Sequence, residues 1–146
     1  MTAAPGVSTE DRFSVTDLIN KFYHLIDTGR AGETAPIFAA DATLEFGPGS
    51  PKPGTIRGGE ISVAMRDRER MTDVTTRHVV SNIALQSDGD RRLSAHYLLT
   101  LFRADARPRT TVPAFVADVD ETWVRGEDEW KISGRLITPI FSRQVA

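Results

Sequence analysis

From Thr75 to Phe141 the chain carries four long segments in which apolar and polar residues alternate, separated by short turn signals. Alternation with a period of two marks strands buried on one face, and four such strands joined by short turns make an antiparallel meander. The segments run from Thr75 to Gln86, Leu93 to Ala104, Thr111 to Arg125 and Trp130 to Phe141. Ser87-Asp88-Gly89-Asp90, a stretch around Asp105 to Arg109, and Gly126-Glu127-Asp128 reverse the chain between them.

A sheet of that length needs a cover for its apolar face. Val15, Leu18, Ile19, Phe22 and Ile26 recur at helical spacing, so a helix is predicted from Ser14 to Asp27 or Thr28. Ser14 with Asp17 suits its N-cap and Gly29 its C-cap. A short second helix is expected from Glu33 to Ala40, a strand over Asp41 to Phe46, and a third helix from Gly59 to Arg70. Ile61, Ala64 and Met65 of that third helix face inward, with the run Arg66 to Arg70 in solvent. Between strand and helix, Gly47 to Gly54 holds too many prolines and glycines for regular structure and is a loop at a pocket rim or a plain connector. The fold class that results is α+β, with three N-terminal helices against one face of a curved antiparallel sheet.

At 146 residues the chain fits one domain, with Met1 to Arg12 a frayed terminus and the domain proper over residues 13–146. A net charge of −2 offers no general attraction to phosphate backbones, so nucleic acid is not an expected partner. With no cysteine and three histidines, neither a disulfide framework nor a metal centre is expected. No apolar run approaches the roughly 18 residues of a membrane span, and no signal peptide is visible. The expected setting is cytoplasmic, without a membrane partner.

His78 is the polar residue that most needs a reason, because it falls inside the first long strand. Strict alternation puts it on one face with Val80, Asn82 and Ala84. A histidine can act as general acid or base near neutral pH when a partner orients its ring. Asp27, at the end of the first helix and flanking its apolar stripe, is the best candidate for that partner, although it could equally bond the turn backbone at Thr28 to Arg30. His96 projects from the second long strand as a candidate binding residue or a satisfied strand histidine. In the third, Asp118 and Asp120 share one face and Glu121 the other, and alternation leaves open which acid is buried. Trp123, Trp130, Phe115 and Phe141 read as core or dimer-interface aromatics.

The stretches Phe22-Tyr23-His24-Leu25-Ile26-Asp27-Thr28-Gly29, Ile37-Phe38-Ala39-Ala40-Asp41-Ala42-Thr43-Leu44 and Thr76-Arg77-His78-Val79-Val80-Ser81-Asn82, with Gly58 before a helix, together resemble the SnoaL-like branch of the nuclear transport factor 2-like superfamily. The resemblance spans roughly Phe13 to Phe141. It implies a cone-shaped, cystatin-like α+β barrel around a deep pocket, commonly in a homodimer formed through the sheet. It also implies that Asp27 and His78 match an Asp and a His used by relatives of scytalone dehydratase and bile-acid dehydratase. Asp120 falls near a position that holds an oxyanion-hole Asp in ketosteroid isomerase. Phe22, Ile26 and Phe46 stand where such enzymes place a tyrosine or another polar group, and Phe102 stands near a second catalytic histidine. With Tyr23, Asn82 and His96 they would line a pocket more apolar than that of scytalone dehydratase. The implied function is a cofactor-independent lyase or isomerase acting on a hydrophobic, steroid-like or polyketide-like small molecule. In it Asp27, His78 and Asp120 would be catalytic. The alternative is a non-catalytic small-molecule binding or dimerisation domain of the same fold.

Overall fold

The computed structural model describes residues 6–106 and 111–143. The chain runs through helix α1 (Thr9–Asp27), a 3-10 helix (Ala31–Ile37), strands β1 (Phe38–Phe46) and β2 (Gly54–Arg57), helix α2 (Gly59–Glu69), and strands β3 (Thr75–Ser87), β4 (Arg92–Ala104), β5 (Phe115–Arg125) and β6 (Trp130–Ser142). The six strands form one curved, unclosed sheet in the order β2-β1-β6-β5-β4-β3. The four long strands pair antiparallel in sequence order, as expected. The exception is β1, which lies parallel to β6 and so joins the early part of the chain to the far end of the meander.

Three local boundaries differ from the sequence expectation, each for a physical reason. Helix α1 starts at Thr9 rather than near Ser14, because Ser8 is the residue that caps it, accepting a hydrogen bond from the Asp11 amide at 3.0 Å. Ser8 and Asp11 have the same spacing as Ser14 and Asp17, and the indole of Trp130 anchors the added turn by donating to Asp11 at 3.1 Å. Residues 9–12, expected to fray, are therefore helical, while residues 1–5 lie outside the described residues. The second helix is a 3-10 turn ending at Ile37, so Phe38 already belongs to β1, and Pro36 within it limits continuation as an α-helix. The fifth strand begins at Phe115, not Thr111, and the preceding turn falls in part on residues 107–110, outside the described residues.

Val15, Ile19, Phe22, Tyr23, Leu25 and Ile26 of α1 are buried. They meet the inner face of the sheet, where Leu93, Ala95, Tyr97 and Leu99 of β4 alternate inward beside Ala117, Val119 and Trp123 of β5. Side chains of this size contribute about 1.5–3 kcal/mol each when fully removed from water, which makes α1 the main cover of the sheet.

Two of the sheet's register shifts redirect side chains near the candidate site. In β3, Ser81 pairs with Leu98 but Ala84 pairs with His96, so one residue is extra, and Asn82 takes φ 58°. Asn82 and Ala84 consequently do not share the face of His78 and Val80. That face passes to Leu85, opposite the buried Ala95. In the β5–β6 pair, Trp123 faces Ile132 and Glu121 faces Arg135, so an extra residue in β6 puts Ile132 and Arg135 on the same inner face. Asn is among the few side-chain-bearing residues that tolerate the left-handed region, where others lose roughly 1–2 kcal/mol. Asn82→Val should therefore lower stability by about 1–2 kcal/mol in urea unfolding, and Asn82→Gly should not. Equal stability of the two variants would mean the bulge relaxes in solution.

Candidate functional site

Asp27 closes α1 and faces the first residues of β3. Its Oδ1 accepts from His78 Nδ1 at 2.7 Å and from the Thr76 hydroxyl at 2.8 Å, while its Oδ2 accepts from the His78 amide at 2.9 Å. The strand thus brings three donors to one carboxylate. Arg77 donates to the Asp27 main-chain carbonyl at 3.0 Å, which ties the end of the helix to the strand as well. Thr76 can offer its proton to Asp27 because its oxygen in turn accepts from Arg68 of α2 at 3.1 Å.

Burial works against the charge on Asp27. The hydrogen bonds from the His78 ring and amide, the His78 charge and the Thr76 hydroxyl together outweigh burial and hold its pKa below the ordinary carboxylate value. An ionised carboxylate can only accept, so the proton of the shared hydrogen bond sits on Nδ1 of His78. In the neutral ring the lone pair is then on Nε2, which is the arrangement a general base requires. Burial, reinforced by repulsion from Arg103 and opposed by Asp27, lowers the pKa of Arg68. Its half-buried contact with Thr76 departs from the solvent position expected for the whole run Arg66 to Arg70.

The His78 ring rests on Tyr23, with centroids 4.8 Å apart and planes inclined by 31°. Behind Tyr23 lies a second polar cluster. The Tyr23 and Tyr97 hydroxyls are 2.8 Å apart, and Tyr97 donates to Glu121 at 2.9 Å. Glu121 also accepts from Trp123 Nε1 at 3.1 Å and from Arg135 Nε at 2.6 Å. The Arg135 guanidinium lies 3.9 Å from the centroid of the Phe22 ring. Burial would disfavour its charge, but attraction to Glu121, and then to the two tyrosines, raises its pKa above the ordinary arginine value. Burial pushes the Tyr23 hydroxyl up to about 12 and that of Tyr97 well above its usual value. Both tyrosines therefore remain protonated at neutral pH.

Of the residues singled out from the sequence, Asp27, His78, Tyr23 and Phe22 are brought together on the inner side of the sheet. Phe46 packs against the edge of the core. Asp120 is not brought to them: it lies on the outer face of β5, half exposed, with His96 Nδ1 at 2.9 Å from its carboxylate. Parity explains this placement, since the buried Val119 and Glu121 flank it on the inner face. His96 shares that outer face, and its Nε2 is 3.5 Å from Asp118. Phe102, paired with Arg77 and adjacent to the buried Leu101, also points away from His78. Asn82 is exposed at the bulge.

Glu121, Arg135, Thr76 and Arg68 join the hydrogen-bonded groups around Asp27, His78 and Tyr23 without having been singled out as candidates from the sequence. For Glu121 a signal existed, because its face of β5 also carries Phe115, Ala117, Val119 and Trp123 and is the more apolar of the two. For Arg135 the bulge in β6 removed the signal. Among the described residues no group of three or more His, Asp or Glu side chains is placed to hold a metal ion. No described helix is long and apolar enough to cross a membrane. The side chains of Asp27 and His78 retain 10% and 11% of their exposure. Cavities of about 440, 580 and 1000 Å³ are lined by neither Asp27 nor His78, and the second, which runs along the outer face beside His96 and Asp120, also touches Glu121 and Arg135.

Several solved structures share this architecture. Aln2 from a Streptomyces species is 21% identical, with 91% of this chain and 93% of that one covered at a TM-score of 0.76. LinA is 17% identical, with 94% and 90% covered at 0.77. A candidate scytalone dehydratase from Novosphingobium aromaticivorans is 13% identical, with 94% and 90% covered at 0.75. At these identities the likeness establishes the fold alone. No curated protein matches the chain significantly. A family model described as the SnoaL-like domain matches residues 7–135, nearly the whole of the described fold, and the chain therefore belongs to the SnoaL-like family.

Proposed function

We propose that the chain is a cofactor-independent lyase or isomerase that moves a proton on a hydrophobic cyclic molecule, with His78 as general base and acid and Asp27 as its partner. The observation that carries this reading is the hydrogen bond of 2.7 Å from His78 Nδ1 to an Asp27 carboxylate already held by two further donors. In this scheme Nε2 of His78 takes a proton from the carbon next to a carbonyl. The imidazolium so formed is stabilised by Asp27, and its proton passes to a departing hydroxyl in a dehydration or to a second carbon in an isomerisation. Asp120 takes no part in the scheme, because it stands on the other face of the sheet. Membership of the SnoaL-like family, with the Asp27 and His78 positions, makes steroid-like or polyketide-like cyclic molecules the class to try first.

The test is a turnover screen with cyclic ketones and β-hydroxy ketones, run on the wild type and on His78→Ala. Turnover by the wild type with loss in the variant is the expected result, and equal rates in both proteins would remove the mechanism. The small residual exposure of the pair favours one competing reading, a binding or self-associating domain with no turnover. Under that reading His78 only holds Asp27, the screen stays blank, and a bound ligand or a dimer in sedimentation equilibrium is what remains.

A further inference from the structure

The buried cluster behind the candidate site has a direction that follows from counting protons. Tyr97 has one hydroxyl proton, and it goes to Glu121. Its oxygen accepts from Arg135 at 3.3 Å, so toward Tyr23 it can only accept again. Tyr23 must therefore be the donor in the 2.8 Å contact. Its rotor is fixed, and its ring, 4.8 Å from that of His78, is fixed with it. At the far end the Glu121 carboxylate is held by Arg135, Tyr97 and Trp123, which leaves it little freedom to rearrange.

We propose that Tyr23 is a positioning residue for His78, carrying the fixed geometry of the Glu121–Arg135 pair to the imidazole ring through its hydroxyl and its ring face. Asp27 holds the ring at one edge and Tyr23 holds its plane, so Nε2 points in one direction before any substrate arrives. A hydrogen bond between Asp27 and Nδ1 alone leaves the ring free to swing about that contact. The ring face of Tyr23 removes this freedom, and the hydroxyl chain to Glu121 keeps Tyr23 from moving aside. Such pre-orientation is where a positioned base gains over a freely rotating one. The inference rests on the proposed role of His78, but its first readout does not need turnover.

The experiment is nitrogen-15 and proton magnetic resonance of the His78 imidazole in the wild type, Tyr23→Phe and Tyr97→Phe, with Asp27→Asn as the control that should erase the slowly exchanging Nδ1 proton. Tyr23→Phe keeps the ring against His78 and removes only the hydroxyl, and Tyr97→Phe removes the next link while leaving Tyr23 intact. Both are expected to shorten the lifetime of the Nδ1 proton and broaden the ring signals. On any substrate the wild type turns over, kcat should fall about tenfold, equivalent to ~1.4 kcal/mol, with KM unchanged. Imidazole signals identical to wild type in both folded variants would overturn the proposal, even if the turnover screen succeeds. A changed spectrum with a blank screen would instead leave the positioning intact and count against the catalytic reading alone. Should Tyr23→Phe fail to fold, the Tyr97→Phe spectrum decides the question.

Discussion

Arg135→Met is expected to destabilise the protein by about 3–5 kcal/mol, against a total stability of roughly 5–15 kcal/mol for domains of this kind. Glu121 and Arg135 are buried to within 2% and 4% of full exclusion from solvent. Removing the guanidinium leaves the carboxylate with the Tyr97 and Trp123 donors but without a counter-charge, and it also strips the cation from the face of Phe22. With a urea slope of about 1–3 kcal/mol per molar, the midpoint should fall by about 2 M. Glu121→Gln/Arg135→Met should recover most of the loss, because the amide oxygen of Gln still accepts from Tyr97 or Trp123 and no unpaired charge remains. Glu121→Leu/Arg135→Met should recover less, since it orphans both donors. A loss under about 1 kcal/mol for Arg135→Met would show that water reaches the pair in solution and that the interior is looser than its packing indicates.

The helical stripe of α1 and the four long strands are legible in the sequence because each is long, strongly periodic and ended by turn residues. Asp27 and His78 are legible for a related reason: His78 lies in β3 before the bulge, so its face is set by plain alternation, and Asp27 sits at a helix end marked by Gly29. Beyond Ser81 the same rule fails. One inserted residue at Asn82 moves Ala84 to the outer face, and no residue pattern within the strand announces it other than an asparagine able to adopt φ 58°. The Glu121–Arg135 pair is hidden by the same kind of event, since strict alternation from Ile132 would send Arg135 outward. Alternation alone leaves the parity of Asp120 open, and the more apolar composition of the opposite face is what the structure follows. The parallel pairing of β1 with β6 has no local signature, because register between distant segments is set by tertiary packing.

His78→Ala is expected to lower kcat by about 10²–10⁴ on the ketone or β-hydroxy ketone that the wild type turns over fastest, the range a positioned general base supplies. Asp27→Asn should fall by a comparable factor although the substitution is nearly isosteric. An amide holds the ring edge but does not stabilise the imidazolium, and it can bond the wrong tautomer. The two variants part company in acid. The native carboxyl of Asp27 has a pKa below its unfolded value, so its contribution to stability is complete above about pH 4 and is lost as pH falls toward the native pKa. Wild type should therefore lose more of its urea midpoint between pH 7 and pH 3 than Asp27→Asn does, the excess being the part of acid sensitivity that belongs to this carboxylate. Identical acid losses in the two proteins would mean that Thr76 and His78 give the Asp27 carboxylate no net stabilisation beyond what water gives it in the unfolded chain. The carboxylate would still be ionised at neutral pH and Nδ1 would keep its proton, but Asp27 would then hold the His78 ring too weakly to fix the direction of Nε2 before substrate arrives.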